Sequence, residues 1–122
     1  MNIYQEQILE HYHNPLNQKK IKNPTHKSCG NNSSCGDSLC IDLKIEDDKI
    51  KEISFSGEGC AISQATASML SEEVKNKKID FVKKLNKNDI LKILELELSP
   101  ARLKCALLSL ETLQKTLENE TK

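Results

Sequence analysis

The most regular alternation of apolar and polar positions lies between residues 38 and 56. Leu39, Ile41, Leu43 and Ile45 interleave with Cys40, Asp42, Lys44 and Glu46, the period of two expected of a strand with one buried face. Asp47-Asp48 breaks the pattern as a turn, and residues 50–55 return as the second strand of a hairpin. Upstream, Tyr4, Ile8 and Tyr12 recur every four residues with Leu9 beside them. That spacing predicts a helix over 3–13, stopped by Asn14-Pro15. Residues 14–34 are polar, with Pro24, Gly30 and an Asn/Ser cluster, and read as mostly loop with room for one short strand.

Beyond Cys60 the period lengthens to that of helices. Residues 61–77 place Ile62, Ala65, Met69 and Val74 along one face, and 88–98 form a short apolar helix for which Asn88 or Asp89 offers a cap. Ser99-Pro100 is a start signal, a capping hydroxyl followed by proline at the first helical position. The last helix then runs towards Glu118 with Ala106, Leu110, Leu113 and Leu117 as its buried stripe. Strands followed by helices predict an α+β fold, and 122 residues suit one domain with one core, spanning 1–122.

Charge narrows the function. The 18 basic and 18 acidic side chains cancel, which argues against a phosphate-driven nucleic-acid binder. No run of apolar residues is long enough for a membrane span, and the N-terminal stretch lacks a signal peptide, so a cytoplasmic location is expected. Five cysteines make an odd set in a chain without a secretory signal. They are expected to be reduced and available to a metal, without a complete disulfide framework.

The rare residues cluster. All four glycines (Gly30, Gly36, Gly57 and Gly59) share the 29–60 stretch with four of the five cysteines. The single arginine, Arg102, stands three positions before Cys105, with Lys104 between them. Cys35 precedes Gly36-Asp37, where a glycine permits a tight turn that lets sulfur and carboxylate converge. Cys60 follows Gly57-Glu58-Gly59 at the start of a helix, whose N-terminus favours a thiolate. Cys105 lies one turn inside the last helix, in positive surroundings. Three thiolates and a carboxylate make a plausible ligand set for zinc or an iron–sulfur cluster.

Spacing alone leaves a second reading open, because free cysteines are commonly small buried hydrophobes and no C-x2-C pair is present. Cys29 and Cys40 compete weakly as ligands. Cys40 falls on the polar face of its strand, Cys29 lies in a polar loop from which it could swing in, and neither is expected to be functional. His11, His13 and His26 are the remaining candidate ligands; the first two flank Tyr12 on a surface helix and are expected to be exposed and not to bind metal, and Glu58 is expected to lie beside the site or in solvent.

Ser34-Cys35-Gly36-Asp37, Phe55-Ser56-Gly57-Glu58-Gly59-Cys60-Ala61-Ile62-Ser63-Gln64-Ala65 and Pro100-Ala101-Arg102-Leu103-Lys104-Cys105 together resemble the iron–sulfur cluster assembly scaffold family, the IscU and SufU proteins and the N-terminal domain of NifU. The opening Tyr4, Ile8, His11-Tyr12 and Asn14-Pro15 are similar to that family's first helix. The resemblance implies a small, mostly antiparallel sheet packed by helices, of SufE/NifU-like type, with three cysteines meeting near one tip. It implies that Cys35, Cys60 and Cys105 hold iron, a 2Fe–2S cluster or zinc, with Asp37 as a fourth or neighbouring ligand and Arg102 and Lys104 adjacent. One hard oxygen ligand matches a cluster less well than a fourth thiolate and leaves it easier to release.

The resemblance also implies partners: a cysteine desulfurase that delivers sulfur and apo-proteins that receive the cluster. Lys104 stands where IscU members carry histidine, and the Gly-Glu-Gly-Cys and Pro-Ala-Arg-x-Lys-Cys segments are closer to SufU, which is associated with zinc at the same ligands. The 44 residues between Cys60 and Cys105 are instead the compact IscU arrangement. Leu98-Ser99-Pro100-Ala101-Arg102 replaces the proline-rich chaperone-recognition segment of IscU, which weakens the case for a dedicated chaperone. Three functions are therefore set against each other: a cluster scaffold, a zinc-dependent sulfur acceptor with Cys105 as the persulfide-accepting nucleophile, and a structural zinc adaptor.

Overall fold

A computed structural model describes residues 3–32, 36–95 and 97–119, with side chains from residue 6 onwards. The elements follow in the order α1 (Ile3–His13), β1 (His26–Asn32), β2 (Asp37–Glu46), β3 (Lys49–Glu58), α2 (Ala61–Val74), α3 (Ile79–Lys83), α4 (Lys87–Leu94) and α5 (Pro100–Leu117). The three strands form an antiparallel sheet in the order β1-β2-β3, so the fold is α+β with a small sheet packed by helices.

β2 is the strand with the clear alternation, and it is central. Leu39, Ile41 and Leu43 point into the core, while Cys40 and Asp42 lie half-buried on the opposite side. Asp47 and Asp48 both take positive φ (54° and 59°), the left-handed pair that a two-residue hairpin loop needs and that aspartate tolerates. Leu43 then pairs with Ile53 and Ile41 with Phe55, stacking large side chains on one face.

The helices cover that face. α5 packs on β1 and β2, α2 packs on β3 and α5, and α1 lies along α2. α2 is enclosed on most sides, which explains its small residues: Ala65, Thr66, Ala67 and Ser68 are all buried. Its hydroxyls are satisfied locally, as in the bond from Thr66 Oγ1 to the Ile62 carbonyl at 2.6 Å. The stripe expected on α5 is buried as read, at Ala106, Leu110, Leu113 and Leu117.

Several expectations need correction. α2 stops at Val74, three residues early, because Asn76 turns left-handed and its amide bonds the Ile50 carbonyl at 2.7 Å, laying the chain against the start of β3. α4 ends at Leu94, where Glu95 takes the left-handed C-cap conformation. Its N-cap is Asn86, not Asn88 or Asp89. Asn86 accepts from the amides of both those residues, and the Asp89 carboxylate accepts from the Asn86 amide in return. α3 had no signal of its own. Of the residues whose spacing predicts α1, Ile8 is buried and Tyr12 is 40% exposed; the Tyr4 side chain lies outside the described residues.

The cysteines also depart from expectation. Cys29 and Cys40 are not free thiols: they oppose each other across β1 and β2 and form a disulfide. The reading of all five as reduced fails here because β1, which brings Cys29 to Cys40, has almost no strand pattern in its sequence. Nor is His11 simply exposed, since its Nδ1 lies 2.7 Å from Ser68 Oγ on α2.

Among the described residues, no helix is long and apolar enough to cross a membrane.

Candidate metal centre

Asp37 is the first residue of β2 and is 1% exposed. A buried carboxylate needs partners, and here one comes from the backbone: Cys60 N–H donates to Asp37 Oδ1 at 2.8 Å. Gly36, with φ of 69°, turns the chain into the strand just before it. Gly59 makes the approach possible, because a Cβ there would fall on the Asp37 carboxylate.

Cys60 caps α2. Its sulfur takes the place of the usual capping oxygen and accepts from Ser63 N–H at 3.5 Å. The same sulfur stands 3.9 Å from Asp37 Oδ2. The helix N-terminus thus directs both an amide and its positive dipole end at the sulfur.

Cys105 arrives from the other side. It lies in the second turn of α5, where Ser99 caps the helix and Pro100 opens it, as the sequence predicts. Its sulfur contacts the Ala101 carbonyl at 3.6 Å, and the residue is 3% exposed. Arg102 and Lys104 are both exposed, and Lys104 lines a cleft of about 300 Å³ with Asn31, Asn32, Leu108 and Glu111 beside the centre.

The outcome is a junction of β2, α2 and α5 at which one oxygen and two sulfurs lie within 4.8 Å of one another. Neighbouring ligand atoms in a tetrahedral zinc–thiolate site are about 3.5–4 Å apart, given metal–ligand distances of about 2.0–2.3 Å. Small side-chain rotations close the difference, so the donor set fits a zinc ion or one iron of a cluster. Of the four predicted ligands, Asp37, Cys60 and Cys105 are brought together, and Cys35 lies outside the described residues. Cys29 is held in the disulfide, and Glu58 is exposed at the end of β3.

Two contributions were not foreseen from the sequence, that of Gly59 to the carboxylate and that of Ser63 to the sulfur. Gly59 is required by the carboxylate, not only by the turn, and Ser63 supplies its amide to the sulfur. Ser63 is itself 1% exposed, and its hydroxyl has no partner among the described residues. The one available signal was position, since Ser63 is the third residue after a capping cysteine.

Comparison with known proteins agrees with this geometry. Residues 3–121 match the family model described as the NifU-like N terminal domain. The zinc-dependent sulfurtransferase SufU of Bacillus subtilis is 33% identical over 135 aligned residues, covering 97% of this chain and 91% of that protein. The iron–sulfur cluster assembly scaffold protein IscU of Thermotoga maritima is 29% identical, covering 95% and 93% respectively. A crystal structure named for a SUF-system cluster assembly scaffold from Fervidobacterium islandicum superposes with a TM-score of 0.79 at 29% identity, covering 92% of this chain and 94% of that one. The chain belongs to the NifU-like N-terminal domain family of iron–sulfur cluster assembly proteins.

Proposed function

We propose that this chain is an iron–sulfur cluster assembly scaffold, a single domain across 1–122 working in the cytoplasm. In this reading Cys35, Asp37, Cys60 and Cys105 hold iron and a nascent 2Fe–2S cluster as cargo. Sulfur arrives from a cysteine desulfurase, and the finished cluster passes to apo-proteins. The observation that carries the reading is the mixed donor set, in which a buried carboxylate and two thiols converge from three elements. A site of this kind binds through its sulfurs and stays labile through its oxygen.

The residues divide the work. Cys60 and Cys105 supply soft donors. Asp37 supplies the hard one and is aimed by the Cys60 amide. Arg102 and Lys104 place positive charge on the exposed side of α5, near an incoming anionic sulfur species. In the transfer step, an acceptor thiolate attacks the outer sulfur of the donor persulfide. The donor S–S bond breaks, the donor leaves as a thiolate, and the acceptor becomes the persulfide. With Cys105 as acceptor, its 3% exposure requires neighbouring chain to move aside first; Cys60 is the more accessible of the two described thiols.

Zinc-dependent sulfur acceptance is the second reading, favoured by Lys104 in the position before Cys105 and by the likeness to the Bacillus protein. Zinc, when bound, would hold the thiols deprotonated at neutral pH. Measuring metal and acid-labile sulfide on anaerobically purified protein separates the two. Iron with stoichiometric sulfide, lost in Cys35→Ala, is the expected result. One zinc per chain without sulfide, together with stimulation of a desulfurase that disappears in Cys105→Ala, would replace the scaffold reading with the acceptor. Zinc whose removal unfolds the chain but leaves desulfurase rate unchanged would reduce the protein to an adaptor.

A further inference from the structure

We propose that Cys29 and Cys40 form a reversible thiol–disulfide pair that exchanges with low-molecular-weight thiols and staples β1 to the strand carrying Asp37. The two residues are opposed in register, with Cα atoms 4.0 Å apart. They lie on the side of the sheet away from the core, Cys29 exposed and Cys40 half-buried, so the sulfurs are open to small reagents. Disulfides in reducing compartments are usually transient and redox-sensing, the role that fits a pair outside the metal centre.

The argument for a mechanical role begins with composition. β1 reads His-Lys-Ser-Cys-Gly-Asn-Asn, with no branched or aromatic residue to favour a strand and a glycine in its middle. Among the described residues it is an edge strand, with β2 as its one strand neighbour. Its other anchors come from α5 and the residues after it: Lys115 Nζ donates to the Cys29 carbonyl at 3.1 Å, and the Asn119 side chain donates to the Lys27 carbonyl. The crosslink therefore adds a covalent tie to the seven rungs with β2 and the packing of α5 that hold this strand. It also brackets the centre, because the span of 11 between the paired cysteines contains Cys35 and Asp37, and the pairing runs on to the rung Asn32–Asp37.

Opening takes two exchanges. One thiolate attacks a sulfur of the pair, the S–S bond breaks, and a mixed disulfide and one cysteine thiolate remain. A second thiolate attacks the mixed disulfide and leaves with the first as the oxidised small disulfide, so two electrons and two protons pass from two thiols to the cysteine pair. Closing is the reverse, with a small disulfide as oxidant. Closed, the pair holds β1 and the Asp37 end of β2 together; open, that edge frays more readily. The link to metal rests on the reading of Asp37 as a ligand, whereas the pair itself does not.

The test uses the whole zinc-loaded chain, equilibrated at a series of ratios of reduced to oxidised glutathione. Thiol alkylation with mass spectrometry should show a 29–40 linkage that forms and reverses with the ratio. Hydrogen exchange across 26–32 and 36–40 should be slower in the closed form. Zinc release to a colorimetric chelator should be about three- to tenfold slower when closed, and the C29S/C40S variant should match the open form in either buffer. Thiols that stay free in excess oxidised glutathione, or a linkage that glutathione does not reverse, would overturn the pair. Identical exchange in the two states would overturn the staple, and equal zinc release with different exchange would overturn the link to metal. If the chain takes up no zinc, the ligand reading fails, while linkage and exchange still decide the pair.

Discussion

Asp37 shows how one side chain can be committed twice. It opens the central strand and it receives the amide of Cys60, which lies 23 residues away in sequence. Gly59→Ala should displace that carboxylate, since the new methyl would occupy its place. Zinc affinity is expected to fall about ten- to a hundredfold with far-ultraviolet circular dichroism unchanged, the size found for lost outer-shell support. A chelator competition giving the wild-type value would show that Asp37 does not bind. Asp37→Ala removes the oxygen donor while keeping both sulfurs. Its reconstituted cluster should outlast the wild-type one when absorbance decay is followed, and faster decay would contradict the lability argument. The residues of this centre were legible because each carries a local sign: glycine before aspartate, glycine before a helix-opening cysteine, serine and proline before the last. Their mutual bond had no such sign, because a tertiary hydrogen bond leaves no periodicity.

At the scale of elements, the strength of the sequence signal followed how one-sided the burial is. β2 and α5 each bury one face and were readable, whereas α2 is covered on most sides and its small residues blur the helical stripe. β1 was invisible as more than a possible short strand because Ser28 is its one buried residue, so its sequence shows no apolar alternation. The same opacity hid the Cys29–Cys40 pair. α4 was misread at its cap, where three candidate residues stand close together and only the reciprocal bond with Asp89 selects Asn86. Asn86→Ala should cost about 1 kcal/mol, a drop of roughly 4 °C in Tm for a chain of this size, readable by calorimetry. Asn88→Ala should cost much less.

A pH effect belongs to the same scale. The Asn17 side chain donates to Glu72 at 2.9 Å and holds its carboxyl below the ordinary range, with Lys75 at 3.6 Å assisting. The lowered value means that this contribution is complete above the ordinary glutamate range and is lost as pH falls through the lowered one. Because the group is largely exposed, the effect is about 0.5 kcal/mol or less. Urea melts should therefore show Glu72→Gln slightly destabilising at neutral pH and neutral at the acid end; a gap that widens on acidification would refute the assignment.

Across the whole molecule the core and the centre share α5. Leu113 is fully buried two turns from Cys105. Leu113→Ala should destabilise by about 2–5 kcal/mol, and bound zinc should recover part of the loss, because binding to the folded form alone adds to stability. Denaturation with and without zinc measures both, and an equal midpoint in the two conditions would mean that the metal holds no tertiary structure. Domain class and core stripe were readable from periodicity; the meeting point of three elements was not, since it depends on how the helices are laid over the sheet.

That meeting point has a consequence in the life of the protein. Cargo bound there ties the start of a strand to two helices, so the filled chain should open to proteases less often than the empty one. Its half-life in a cell would then follow the supply of iron and sulfur, and idle copies would be removed first.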